Sequence, residues 1–492
     1  MTASPSNRAI TAEEVHHYSE AFTADRANRV AANAAVASGV LSAATSYQGL
    51  RELPHEFSVE LKQGSITNQE RSGRCWMFAA LNTLRFEVMH RWNLEDFEFS
   101  ENYLFFWDKI EKSNAYLENV LDTLDDSTES RLFQSINEYP AEDGGWWQMF
   151  VNLVNKYGLV PKSAYPESAN SRNSDAFTQY LAAKLREFAS ALRDRHSKGA
   201  GINELREEKI RDMEVIYRIC AISLGEPPEH FDFLARVKDD DDKGGTDDKD
   251  RTGTGSAKAA KSTESKDSPD TDAIKRSGTD TRLQICAYGI TPLDFYRRYV
   301  PVDVNDYVTL ANVPMASRAY NTRYRIKYST NVAETEQLEF VNVTLDAFHK
   351  AAVNQLTAGH PIWFACDCMQ YSLRKDGIFD RNTVRVDELF GTEFTFDKAR
   401  GLEYGERPSN HAMTLTGVNL DKDGKADRWK VENSWGKDTG KDGYYVASDD
   451  WFGNYVTELV IRKDYLDSDT LAALDTAPVE LDPWQPLTRP CR

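Results

Sequence analysis

The stretch Asn68-Gln69-Glu70-Arg71-Ser72-Gly73-Arg74-Cys75-Trp76-Met77-Phe78-Ala79-Ala80-Leu81-Asn82 sets a cysteine at the point where a loop turns into a helix. From Trp76 onward, Phe78, Leu81, Leu84, Phe86, Val88 and Met89 recur at roughly helical spacing with neither Gly nor Pro, so a helix is expected to begin at or just before Cys75. Unpaired amides at a helix start carry about half a positive charge, which favours a thiolate and lowers the thiol pKa. Gln69, six residues upstream across a Ser-Gly turn, is placed to fold its side-chain amide back beside the Cys75 amide. Two donors converging there would form an oxyanion hole for a cysteine nucleophile.

A nucleophilic thiol needs a general acid for the leaving amine and a group that orients that acid. His411 opens the alternating, β-rich run His411-Ala412-Met413-Thr414-Leu415-Thr416-Gly417-Val418, a strand able to hold an imidazole rigidly. Lys430-Val431-Glu432-Asn433-Ser434-Trp435-Gly436 ends a second strand with an amide and an indole. Asn433 can accept from the imidazole and fix its tautomer without competing for the proton, leaving a Cys/His ion pair ready to react, and Trp435 would shield that bond from water. A cysteine alone is ordinarily a small buried hydrophobe, and a strand histidine is ordinarily structural. It is the ordered set Gln69, Cys75, His411 and Asn433 that points to catalysis.

These residues resemble the papain-like cysteine peptidases, and specifically the bleomycin hydrolase/aminopeptidase C family. The likeness extends through Ser100-Glu101-Asn102-Tyr103-Leu104-Phe105-Phe106-Trp107-Asp108-Lys109, Asp143-Gly144-Gly145-Trp146-Trp147, Lys156-Tyr157-Gly158-Leu159-Val160-Pro161-Lys162, Gly225-Glu226-Pro227-Pro228 and Trp363-Phe364-Ala365-Cys366-Asp367. The resemblance implies an α+β fold, with Cys75 as nucleophile, Gln69 in the oxyanion hole, His411 as base and acid, and Asn433 as orienter. The papain signature has a cysteine where this chain has Ser72, so the disulfide of secreted relatives cannot form there. Papain-type enzymes place the histidine roughly 130 to 150 residues after the cysteine; here the interval exceeds that by about two hundred residues, which must build something additional.

Four regions are expected. Residues 1–165 form the first part of the catalytic body, and 166–339 a helical insertion with stripes Phe177, Tyr180, Leu181, Leu185, Phe188, Leu192 and Ile202, Leu205, Met213, Ile216, Tyr217, Cys220. Residues 340–475 form the β-rich part with His411 and Asn433, and 476–492 a C-terminal arm. The resemblance implies that the insertion helps to build a homohexameric ring with its active sites inside. Within it, 238–282 mixes charges with Gly, Ser and Thr and has no aromatic between Phe233 and Tyr288, so it is expected to be disordered.

The other features set limits. Six cysteines in 492 residues are too sparse for a disulfide framework, and a net charge of −19 disfavours nucleic-acid binding. The run from Met1 to His17 has no apolar core, and Val30–Ala44 is too short to span a bilayer, so a cytoplasmic protein without membrane attachment is expected, with Val30–Ala44 a small-residue helix packed on the body. Neither His16-His17 nor Cys366-Asp367-Cys368 has zinc-site spacing; no metal or cofactor is expected, and the latter cysteines should lie in a strand.

In the family the terminal carboxylate holds the substrate's α-amine, which implies peptide substrates with free N-termini. Leu481-Asp482-Pro483-Trp484-Gln485-Pro486-Leu487 resembles that arm, but Thr488-Arg489-Pro490-Cys491-Arg492 departs from its usual ending. Either Arg492 is trimmed so that Cys491 carries the anchoring carboxylate, or the Cys491 thiol pairs reversibly with Cys75. The expected activity is a cysteine aminopeptidase; the alternatives are an endopeptidase with a displaced arm and a non-catalytic ring-forming binding protein.

Overall fold

The helix that starts at Cys75 runs to Trp92 and is buried for almost its whole length between a helical side and a sheet. The computed structural model describes residues 9–238, 274–277, 280–406 and 409–485. On the helical side, Glu101–Asp122 starts at Ser100, whose hydroxyl accepts from the Tyr103 amide, and Trp147–Tyr157 stops at Gly158, which adopts φ +71°. Asp175–Ser197 and Ile202–Leu224 form a helix pair laid against Glu101–Asp122. Their buried residues include Phe177, Leu181, Leu185, Leu192, Leu205, Ile216 and Cys220, whereas Tyr180 and Ile202 face out.

Opposite lies one sheet of twelve strands among the described residues. Its order is Val479–Leu481, Thr322–Ile326, Glu339–Asn342, Tyr307–Ala311, Val456–Arg462, Ile362–Cys366, His411–Leu420, Ala426–Glu432, Tyr444–Ser448, Ile378–Phe379 and Ser372–Leu373, with Val59–Glu60 paired onto His411–Leu420. The histidine strand is therefore central, with Ala412 opposite Ala365 and Thr414 opposite Trp363. Alternation along the strand turns these residues toward the helix Cys75–Trp92. The Trp363 indole donates to the Trp76 carbonyl at 2.9 Å and the Thr414 hydroxyl to the Ala79 carbonyl at 3.0 Å. Met413, Leu415 and Phe364 on the other face join a separate core with Phe348 and Leu356 of the helix Leu345–Thr357.

Four expectations change. The span 166–339 is not helical throughout, since Tyr307–Ala311 and Thr322–Ile326 belong to the main sheet, where they pair with Val456–Arg462 and Glu339–Asn342. Val30–Ala44 is not one helix: Gly39 at φ +83° divides it into Arg26–Ser38 and Val40–Ala43, neither with a buried residue, and the segment is anchored at its end, where Ala44 is buried with Leu53 and Val384. The end of the span expected to be disordered forms strand: Ile274–Ser277 pairs antiparallel with Asp280–Ile290, which also pairs with Phe231–Arg236, so backbone pairing supplies the order that composition did not signal. Residues 239–273 lie outside the described residues. Finally, only Cys366 is in a strand; Asp367 and Cys368 lie beyond its end.

One buried group on this sheet has no stabilising partner among the described residues. Glu458 stands between Ala311 and Ala365, its Oε2 meets no hydrogen-bond partner, and burial pushes its carboxyl up to about 8. Between its unfolded value near 4.5 and about 8, the folded chain holds a proton that the unfolded chain releases, so stability falls as pH rises through this window. Glu458→Gln should flatten that fall by a few kcal/mol, read from urea unfolding at pH 5 and pH 8.

Candidate active site

Three segments meet at the start of the helix Cys75–Trp92. Arg74 immediately precedes it and is buried: its guanidinium forms a fork onto Glu167 at 2.9 and 3.1 Å, donates to the Ser171 carbonyl at 2.8 Å, and lies over Phe78 and Phe105. Asp143 accepts from the Gly73 amide at 3.1 Å and from Lys109 at 2.6 Å, while its carbonyl accepts from the Trp76 indole at 2.8 Å. Charge-assisted bonds of this kind are short and directional, so the loop entering the helix is held from both sides. Close behind, Gly145 has no room for a side chain: a Cβ there would meet the Trp76 ring at 2.6 Å.

The Gln69 amide is fixed in orientation. Its Oε1 accepts from the Ser434 hydroxyl at 2.6 Å, and its Nε2 donates to the Ser72 carbonyl at 2.7 Å. An amide nitrogen carries two hydrogens, so one remains to donate. The Gln69 backbone amide also donates to the Ser434 carbonyl at 2.8 Å, and Asn68 bridges to Trp435. The loop before the helix is thereby tied to the loop after Asn433.

The tautomer of His411 follows from its partner. Asn433 Oδ1 accepts from the Ser434 backbone amide at 2.8 Å, and since an N–H can only donate, this atom is the oxygen. His411 Nε2 lies 2.9 Å from the same oxygen and so carries the hydrogen. Nδ1 keeps the lone pair. Trp435 stacks on the imidazole, with centroids 4.6 Å apart and planes at 27°. The backbone amides of Ala412, Trp76 and Cys75 itself act on the Cys75 sulfur, which sets it beside the histidine strand.

A lowered thiol pKa, expected from the helix start, is not what this pocket produces. Burial pushes Cys75 up to about 12, overriding the three amides, and pushes His411 down to about 4, against the favourable bond to Asn433 and with help from the charge of Arg374. Either charge alone is disfavoured in so dry a site. Proton transfer from sulfur to imidazole creates both charges together, with no net charge to bury.

Gln69, Cys75, His411 and Asn433 are thus brought together. Cys491 and Arg492 lie outside the described residues. The preceding segment can be followed: Val479–Leu481 pairs in parallel with Thr322–Ile326, and Trp484 and Gln485 then line a cavity of about 1060 Å³ together with Gly144, Trp146, Ser409 and Asn410. Sequence reasoning passed over Arg74, Asp143 and Ser434, although all three stand inside quoted motifs. The signal was the presence of charged or hydroxylic side chains flanking residues that must be immobile.

A family model described as the Peptidase C1-like family matches residues 9–252 and 278–488. The chain is 37% identical to an Aminopeptidase C of Lactococcus lactis subsp. lactis over 478 residues, covering 97% of this chain and 99% of that relative. It is 38% identical to an Aminopeptidase C of Streptococcus thermophilus over 455 residues, covering 92% and 93%. Among solved structures, PepW from Lactobacillus rhamnosis aligns with TM-score 0.87 at 36% identity, covering 98% of this chain and all of that one. The chain belongs to the Peptidase C1-like family, and its α+β fold is papain-like.

Because Ser434 holds the Gln69 amide by its oxygen, Ser434→Ala should free that amide to rotate. The expected result is a roughly tenfold fall in kcat with KM little changed, as follows from the oxyanion role proposed below for the Gln69 amide. Steady-state kinetics on an aminoacyl amide check this.

Proposed function

We propose that this chain, a cysteine aminopeptidase, works through Cys75, His411, Asn433 and Gln69. The observation that carries the assignment is the fixed His411 tautomer: Nε2–H is bound to Asn433, so the free Nδ1 lone pair can take the thiol proton. The thiolate attacks the carbonyl of the first peptide bond. Its oxygen collects negative charge and receives the free Gln69 Nε2–H and the Cys75 amide. The imidazolium then gives its proton to the departing amine, leaving an acyl-enzyme that water hydrolyses with His411 again as base.

Removal of N-terminal residues requires that one flank of the cleft be closed behind the substrate's α-amine. In this reading the segment following Gln485 closes it, with Cys491 or Arg492 presenting the terminal carboxylate. Support comes from the course of residues 479–485, which lead into the cavity that reaches Asn410, next to His411. Broad tolerance for side chains and hydrolysis of bleomycin-like amides belong to the same reading, by family resemblance.

The reading also includes a homohexamer and a cytoplasmic location. Self-association is supported by the helices Ala12–Ala24 and Arg26–Ser38, which have no buried residue and leave Val15, Tyr18, Phe22, Val30 and Val36 exposed. Among the described residues no helix is long and apolar enough to cross a membrane. Sedimentation velocity would report a species near six times the 55.8 kDa chain if the ring forms.

Matched aminoacyl and N-acetyl-aminoacyl fluorogenic amides, assayed under reducing conditions, test the activity. Only the free-amine substrate should be cleaved, and Cys75→Ala should abolish that cleavage. Cleavage of the blocked substrate at a comparable rate would contradict the exopeptidase reading, and activity surviving in Cys75→Ala would contradict the nucleophile.

A further inference from the structure

The turn that carries Arg374 supplies no group to the proposed catalytic steps, yet it sits one ring away from the imidazole. Ser372–Leu373 and Ile378–Phe379 pair antiparallel, and the amides of Asp376 and Gly377 close the turn onto the Leu373 carbonyl. The Tyr445 hydroxyl donates to the Arg374 carbonyl at 3.0 Å, and the Tyr445 ring meets Trp435 edge-on with centroids 6.0 Å apart. The Arg374 backbone is thus fixed against the ring that covers His411. Its guanidinium carbon lies 4.0 Å from the Trp435 centroid. The residue is exposed, and among the described residues no carboxylate pairs with it. A cation seated on an aromatic face keeps its in-plane N–H groups available, and a guanidinium presents them as a fork that fits a carboxylate.

The two flanks of the cleft differ. One holds Gly144, Asn410 and the incoming residues 479–485; the other holds Gln69, Ser434, Trp435 and Arg374. An aminopeptidase seats the substrate's first residue on the former, so the departing peptide lies over the latter. We propose that Arg374 binds a carboxylate of the departing peptide, one or two residues beyond the scissile bond, an assignment that rests on the aminopeptidase reading above. The reach fits. The Arg374–Trp435 and Trp435–His411 spacings put the guanidinium within roughly 9 Å of the imidazole, and an extended chain advances about 3.3–3.6 Å per residue. The positive charge of Arg374 also disfavours the imidazolium of His411, and a bound carboxylate would offset it.

Two sources supply such a carboxylate: the C-terminus of a di- or tripeptide, and an Asp or Glu side chain just after the scissile bond. The test compares kcat/KM for Ala-Ala with a free C-terminus against Ala-Ala amide, and for Ala-Glu-Ala amide against Ala-Gln-Ala amide. Each pair is run with wild type, Arg374→Gln and Arg374→Lys. Wild type should prefer the carboxylate member of at least one pair by roughly tenfold, as expected for a charge-assisted hydrogen bond. The preference should vanish in Arg374→Gln, persist in part in Arg374→Lys, and shrink with added salt. A preference confined to the first pair assigns the terminal carboxylate; one confined to the second assigns the side chain. Equal ratios in wild type and Arg374→Gln for both pairs would overturn the proposal. A wild type that cleaves none of these substrates but does cleave N-acetylated peptides would overturn the aminopeptidase reading instead.

Discussion

The Trp363 indole and the Thr414 hydroxyl, donating to the carbonyls of Trp76 and Ala79, fasten the first turns of the helix Cys75–Trp92 to the middle of the sheet. Every distance that matters in the cleft depends on that seam, because Cys75 belongs to the helix and His411 to the strand. The seam is dry: Trp76, Trp363, Ala365 and Ala412 are all buried. In such surroundings a hydrogen bond is stronger and a missing one costs more. A second tie, through Gln69 and Ser434, joins the loop before the helix to the loop after Asn433. The proposed oxyanion donor and the proposed orienter are consequently set by the same pair of residues.

Burial gives this centre its rigidity and also decides its charge state. A helix start favours a thiolate in partly exposed sites, but here the amides of Cys75, Trp76 and Ala412 do not outweigh the loss of water around the sulfur. The consequence is that an isolated charge on either Cys75 or His411 is disfavoured. In the proposed mechanism, reactivity then depends on the partner histidine rather than on the helix alone.

Much of the site was legible because its motifs coincide with element boundaries. The helix begins at Cys75, the strand begins at His411, and Asn433 directly follows the strand Ala426–Glu432. Periodicity could place these ends because Gly and Pro are absent from the helix and the strand alternates cleanly. It could not place Tyr307–Ala311 or Thr322–Ile326, whose partners lie far along the chain, since pairing over such distances leaves no local mark. The support beneath the site was hidden for a related reason. Arg74 with Glu167, and Asp143 with Lys109, meet only once the helices pack, and a buried charge looks like a surface one until its partner is known.

The central claim is that the reactivity of Cys75 is conferred across the seam by His411. The most direct test is the rate of Cys75 alkylation by iodoacetamide from pH 5 to pH 10, followed by peptide mapping, in wild type and in His411→Ala. Wild type should react at least roughly tenfold faster near neutral pH, and the variant should react appreciably only in alkali, as an isolated buried thiol does. Coincident pH profiles for the two proteins would contradict the account.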